Sequence, residues 1–370
     1  MLIGNILDYL DWRGDLSLNE SPFNEIDSLV LSMLSYVSID ELVPNIDSND
    51  YISVYTLGRK FFEKNTPEIL AQDKSLLADS YLVLKHMQNT VRFKNAKLGK
   101  FYSNTDAEKE MQFAAVHILL DDGTTYIAYR GTDDSLVGWK EDFNMAYKAP
   151  VPSQIAAREY LNTTVKFGFR KYRLGGHSKG GNLAVYAAVE CDDRIKNRII
   201  NVYSNDGPGF RKGMIESPKY QKMKSKIISI IPESSIIGLL LEHHEEHVVV
   251  KSNQVGLLQH DALTWEVLGT NFITIDKLSA ESVIISQTVS NWLNEIDDER
   301  REKFVDTVYD VITKTGMSKL SDFNNVSLKQ MNAFVKGITE LDNESRNMIF
   351  EILKALTSEY GRVVKNQFMK

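Results

Sequence analysis

The stretch Tyr172-Arg173-Leu174-Gly175-Gly176-His177-Ser178-Lys179-Gly180-Gly181-Asn182-Leu183-Ala184 decides how this chain is read. An apolar strand near 172–174 gives way to an alanine-rich helix from about 180 to 189, and the serine of Gly176-His177-Ser178-Lys179-Gly180 falls on the turn between them. Such a turn is so tight that a side chain at either flanking glycine strikes the neighbouring strand or helix, and the serine is forced outward in a strained conformation. Gly181 then lets the helix start close to the strand. The five-residue pattern has little specificity in a chain with 21 Gly among 370 residues, so its surroundings must carry the reading.

Those surroundings alternate. Short apolar runs at 113–120 and 124–129 flank Asp121-Asp122-Gly123, a hairpin signal. A helix is predicted near 153–165, and strands at about 199–204, 226–231 and 248–252 follow the serine-bearing unit. Strands alternating with helices imply an α/β fold with a mainly parallel sheet and a site at its carboxyl edge. Residues 1–100 read as an N-terminal helical region packing on this core of 101–275, with Ser21 and Pro22 as N-cap and first helical residue and a second helix near 75–90. Residues 276–370 read as a C-terminal helical region. Its stripes Phe304, Val305, Val308, Val311, Ile312 and Met348, Ile349, Ile352, Leu353, Leu356 suit packing or a surface for self-association.

Composition narrows the function. At 43% hydrophobic, 370 residues bury a core of about 200 residues with room for smaller units. A net charge of −7, with no stripe of Lys and Arg along the sequence, argues against a nucleic-acid binder. Lone Cys191 cannot form an internal disulfide, no signal peptide is read at the start, and the most apolar segment, 227–241, is broken by Pro232 and Glu233 and too short to span a bilayer. The expectation is a cytoplasmic protein without a transmembrane segment.

Tyr129-Arg130-Gly131-Thr132, followed by Trp139 and Asp142 and then by the glycine-flanked serine, resembles the lipase class 3 branch of the α/β-hydrolases. A closer resemblance, over nearly the whole chain, is to the Mbeg1-like group of bacterial lipase-like proteins. It rests on Asp11-Trp12-Arg13-Gly14-Asp15, Pro22-Phe23-Asn24, Asn205-Asp206-Gly207-Pro208-Gly209-Phe210 and Gln259-His260-Asp261. The resemblance implies an α/β-hydrolase fold and hydrolysis of lipid or lysophospholipid esters. Lys179 departs from the aliphatic residue usual after the serine of class 3 lipases, but the chemistry there uses only its backbone N–H.

On this reading Ser178 is a nucleophile and needs an imidazole to take its proton. The hydrolase order of serine, acid and histidine excludes His86, His117 and His177. His260 follows the last strand on a loop able to reach back over the sheet edge, and is the candidate base. Two carboxylates compete as its partner: Asp206, ending the strand after the serine-bearing unit, and Glu233, after the following strand where class 3 lipases usually place their acid. Asp206 ranks first because Pro232 makes the register of Glu233 awkward. The Lys179 N–H and Thr132, through its N–H and hydroxyl, are candidate oxyanion donors, and Arg130 is a candidate partner of Asp142. No metal or organic cofactor is required.

Other readings compete. His243-His244-Glu245-Glu246-His247 matches a zinc-peptidase pattern, but Val248-Val249-Val250 follows as strand, so a helix cannot hold it and a solvated polar loop is the better account. The apolar segment at 236–241 suits a buried helix, an acyl pocket or a lid. The same triad serves thioesterases and acyltransferases, and a noncatalytic interaction protein retaining the scaffold is a further alternative. The substrate expected of the enzyme is a small-molecule ester or lipid.

Overall fold

Alternation along one strand sets the layers. Tyr126 and Ala128 belong to one apolar cluster and Ile127 and Tyr129 to the other, as a strand with a period of two requires when both faces are covered. The computed structural model describes residues 3–317 apart from 74 and 76, together with 319, 328–339, 341–343 and 346–347. The second predicted C-terminal stripe, Met348 to Leu356, lies outside the described residues.

Eight strands form one sheet in sequential order: β1 (Ile52–Ser53), β2 (Lys97–Asp106), β3 (Met111–Leu119), β4 (Thr125–Tyr129), β5 (Tyr172–His177), β6 (Ile199–Asn205), β7 (Ile227–Pro232) and β8 (His247–Val250). The first four pair antiparallel and β4 through β8 pair parallel. This is the α/β fold with a mostly parallel sheet that the alternation in the sequence predicts. Because each parallel strand is added on the same side of its predecessor, right-handed crossovers place their helices on one face. The helices Pro152–Thr164 and Lys179–Glu190 pack there, through Ala157, Leu161, Leu183 and Ala187, against Ile127, Leu174 and Val202.

The opposite face would be left bare. Helices Ile6–Arg13, Glu25–Leu34, Val54–Lys64 and Tyr81–Met87 cover it, with Leu10, Ile26, Val30, Leu57 and Leu84 fully buried in the same cluster as Ile118, Tyr126 and Ile230. Ser21 and Pro22 do not start the second of these helices. Asn24 caps it instead, accepting from Asp27 N–H while the Asp27 carboxylate accepts from Asn24 N–H. The carbonyls of Ser21 and Pro22 are held by the guanidinium of Arg92, which also pairs with Asp27; both charged side chains are fully buried. The helix predicted over 75–90 is a 3₁₀ turn at Ala78–Ser80 followed by Tyr81–Met87.

In the C-terminal region, helices Ala280–Glu295, Asp298–Lys314 and Leu328–Thr339 are described. Val305 and Val311 of the first predicted stripe are buried. Arg211 meets Asp298 at 3.0 Å, and Lys140 meets Asp306 at 2.8 Å, so the helix Asp298–Lys314 is tied to the core by charge as well as by its apolar face.

Candidate active site

Strand register brings three loops to one edge. The pairing of Tyr129 with Gly176 sends residues 130–132 off the sheet beside His177 and Ser178, and the pairing of His177 with Asn205 sends Ser178 and Asp206 off it side by side. Ser178 stands at φ +57° and ψ −135° between β5 and the helix Lys179–Glu190, a left-handed backbone that costs a non-glycine residue on the order of 1–3 kcal/mol. The glycines around it are required by contact. A Cβ on Gly180 would lie 2.1 Å from the Tyr129 carbonyl oxygen, and one on Gly176 would lie 2.3 Å from the Gly180 carbonyl carbon.

Asp206 is fully buried and also has positive φ, at +51°. Its Oδ1 accepts from the Ser235 hydroxyl at 2.5 Å and from Gly238 N–H at 3.1 Å, and its Oδ2 lies 2.6 Å from His260 Nδ1. With a carboxylate as acceptor, Nδ1 carries the proton and Nε2 keeps its lone pair. The His260 ring, 27% exposed, lies 4.7 Å from the ring of His177, the residue before Ser178. Glu233 does not meet His260. Its Oε1 is 3.4 Å from the Gln259 amide nitrogen, one residue short, as expected of a side chain displaced by the register of Pro232. Gln259 in turn accepts from Ser234 N–H and donates to the Gln254 carbonyl, while Trp265 Nε1–H donates to the Gln259 carbonyl; together these fix the loop that carries His260.

His177, excluded as a base by the order of the triad, and Tyr36 hold this edge together. His177 is buried, and desolvation lowers its imidazole to about 3, with the neighbouring His260 pushing the same way. It is therefore neutral at pH 7, and its Nε2–H donates to the His260 carbonyl at 2.8 Å. Tyr36, from the N-terminal layer, donates its hydroxyl to the His177 carbonyl at 3.0 Å. Exclusion of His177 as a base is compatible with this place, but its structural part has no periodic signature in the sequence.

The Lys179 side chain is the larger omission. It is fully buried, and its Nζ donates to the Gln112 carbonyl at 3.1 Å, to Gln112 Oε1 at 2.8 Å and to Glu141 Oε2 at 3.2 Å. Glu141, equally buried, also accepts from Gln112 N–H at 3.0 Å and Ser153 N–H at 2.7 Å. Asp142 Oδ1 lies 3.7 Å from the same ammonium without a hydrogen bond, and burial raises the Asp142 carboxyl to about 6 against the pull of Lys179. The one sequence clue was a lysine where an aliphatic residue is usual.

Four expectations change. The Thr132 hydroxyl donates to Asp142 Oδ2 at 2.5 Å, so only its backbone N–H is left for an oxyanion. Arg130 pairs with Asp40 at 3.3 Å and with the Ser103 hydroxyl, not with Asp142, because it leaves the sheet on the side of the N-terminal layer. Residues 243–247 are only in part a solvated loop: His244 and Glu246 are exposed, but the His243 and Glu245 side chains are 9% and 6% exposed and pair at 3.2 Å, Glu245 accepts from the Tyr220 hydroxyl, and His247 already belongs to β8. The segment at 236–241 forms a short 3₁₀ turn, Ile237–Leu239, rather than a helix. The Ser282 and Ser286 hydroxyls, from the helix Ala280–Glu295, donate to the carbonyls of Ser235 and Leu239.

The chain is similar to solved lipase structures. M37 lipase shares 16% identity over 59% of this chain and 70% of its own, with a TM-score of 0.35. A Rhizomucor miehei lipase propeptide complex shares 14% over 62% and 69%, with a TM-score of 0.36, and a fungal lipase–inhibitor complex shares 14% over 54% and 77%, with a TM-score of 0.30. No curated protein matches. The Mbeg1-like family model matches residues 87–310, from the end of the N-terminal layer through the sheet and the serine, aspartate and histidine loops into the C-terminal helices. With more than half of its length matched, the chain belongs to the Mbeg1-like family.

Proposed function

We propose that the protein is a serine hydrolase that cleaves a carboxylic ester through an acyl-enzyme on Ser178. The observation that carries this reading is the 2.6 Å hydrogen bond from His260 Nδ1 to buried Asp206, at the edge where Ser178 is presented on a strained turn. His260 Nε2 takes the Ser178 proton as Oγ attacks the ester carbonyl, and Asp206 holds the imidazole in the required tautomer and stabilises its charged form. Oxyanion donors are the backbone N–H groups of Lys179 and Thr132. As the first helical residue, Lys179 has an N–H without an intrahelical acceptor.

The imidazolium then protonates the leaving alcohol, and water, deprotonated by His260, releases the acid and restores the serine. Apolar Val255 and Leu258, on the turn leading to His260, and Phe143, on the helix Leu136–Asn144 after the Thr132 loop, are 40%, 55% and 43% exposed. They favour an ester with an apolar acyl chain. The test is labelling by a fluorophosphonate, with turnover measured on p-nitrophenyl esters of varied acyl length. Wild-type protein labels and turns over while Ser178→Ala does neither; folded wild-type protein that fails to label is a noncatalytic scaffold.

A further inference from the structure

At the amino edge of the sheet, opposite Ser178, the loop 165–171 ends in Lys166-Phe167-Gly168-Phe169-Arg170-Lys171. Phe167 is 89% exposed and Phe169 99%, whereas the next most exposed phenylalanine among the described residues, Phe143, shows 43%. Exposed rings of this size are costly in water unless something covers them. The tip is not loose chain: Arg198 donates to the Lys166 carbonyl at 2.7 Å and to the Arg170 carbonyl at 2.9 Å, clamping both sides of it. Gly168, at φ +144°, has open space around it, so the tip stands clear of the body.

Over the entries to β5, β6 and β7 the charge is opposite to that of the molecule, whereas the entry to β8 carries Glu242, Glu245 and Glu246. Parallel register places the entries to β5, β6 and β7 together, and they carry Lys166, Arg170 and Lys171, then Arg194, Lys196 and Arg198, then Lys222, Lys224 and Lys226. Within 166–171, 192–198 and 222–226 there are nine cations and two carboxylates, in a chain of net charge −7. Asp192 pairs with Arg194 and Asp193 with Lys196, and Asp122 of the adjoining β3–β4 turn pairs with Arg173. Lys166, Lys171, Arg198 and Lys226 instead bond neutral amide and carbonyl groups, which leave their charge uncompensated. Arg194 also lies over the Phe167 ring at 5.3 Å.

We propose that this edge is a docking surface for an anionic lipid bilayer, with Phe167 and Phe169 entering the headgroup–acyl boundary and the surrounding cations held against acidic headgroups. An apolar insertion and a basic patch are the two signals that stable peripheral attachment needs, and neither suffices alone. Ring exposure this complete describes a protruding tip rather than a groove that tracks a phosphate backbone. β5 separates the tip from Ser178 by roughly 20 Å, at about 3.3 Å per residue, so the attached protein keeps its catalytic edge away from the membrane.

The test is flotation of the full chain with phosphatidylcholine vesicles, with and without about 30% phosphatidylglycerol, at low and high salt. The protein is expected to float with the anionic vesicles only, and to be released by high salt. Phe167→Ser/Phe169→Ser is expected to lower partition roughly tenfold while its circular dichroism and fluorophosphonate labelling stay at wild-type level. Lys222→Gln/Lys224→Gln, which leaves the rings in place, is expected to lower it severalfold. No flotation with anionic vesicles overturns the proposal, as does flotation that the Phe pair does not affect. So does retention of the wild type by a single-stranded RNA, or self-association, that the Phe pair abolishes in the absence of lipid binding.

Discussion

Replacing Lys179 by Met tests whether the buried charge behind the Thr132 loop holds the candidate site in shape. Methionine keeps an unbranched apolar stem and removes the ammonium together with its bonds to Gln112 and Glu141. Glu141 is then left fully buried without its cation. Removing one member of a buried pair costs about 3–5 kcal/mol, and because Glu141 keeps the N–H groups of Gln112 and Ser153, the lower end, about 3 kcal/mol, is expected. Asp142 also loses the charge that holds its carboxyl down, so its already raised value rises further.

Urea unfolding at pH 7 of wild type, Lys179→Met, Glu141→Gln and the double variant measures the effect as a thermodynamic cycle. Glu141→Gln in the Lys179→Met background should recover about 1 kcal/mol, because it removes the unpaired charge while giving up one of the two N–H bonds that the Glu141 oxygens accept. The backbone N–H of residue 179 is retained, but Thr132 hangs on Asp142, so kcat on a reactive ester should fall roughly tenfold to a hundredfold with KM little changed. A cost below about 1 kcal/mol with no coupling in the cycle would refute the reasoning.

Other outcomes follow from the same geometry. Asp206→Asn should lower kcat/KM by about a thousandfold or more, and Glu233→Gln should leave it near wild type; steady-state ester hydrolysis by the two variants reverses the assignment if the losses are exchanged. Gly180→Ala should destabilise by about 1–3 kcal/mol in urea unfolding, since its Cβ would meet the Tyr129 carbonyl oxygen at 2.1 Å and Gly131 N at 2.9 Å; an unshifted midpoint would mean that the turn yields. The Asp142 carboxyl, raised from 3.8 to about 6, binds a proton more tightly folded than unfolded, so stability should fall as pH rises from about 4 to 6 and be level above. The full shift corresponds to about 3 kcal/mol, an upper bound for a side chain 31% exposed, and Asp142→Asn should remove that slope.

The elements that position Ser178 were legible because their signals are local. The hairpin at Asp121-Asp122-Gly123 and strands β3 through β8 follow from apolar runs bounded by turn residues, within a few residues of their observed ends. β2 escaped because Gly99 and a bulge between Gly99 and Tyr102 interrupt it and its second half is polar, so no period of two survives. Asp206 and Glu233 could be ranked but not separated, since the choice turns on a register of one residue: Asn205 pairs with His177, whereas Glu233 reaches only Gln259. The Lys179 cluster joins residues 112, 141 and 179, which share no element, and only the folded sheet brings them together.

The basic edge was missed for the opposite reason, since the rule that reveals it was already in use. Along the parallel strands β4 to β8, every loop leaving a strand shares the carboxyl edge with Ser178, and every loop entering one shares the amino edge. Scanning for a continuous run of Lys and Arg finds nothing because the cations fall in three short entries separated by whole strand–helix units. Summing charge over the residues that precede or open the predicted strands at 172–174, 199–204 and 226–231 finds the nine. The carboxyl edge holds a neutral His177 and a buried carboxylate pointed at His260, so the two edges differ in kind: one is desolvated and preorganised, the other charged and exposed. A parallel sheet separates these environments by the length of its strands, which lets the proposed attachment at one edge and the proposed chemistry at the other be altered independently.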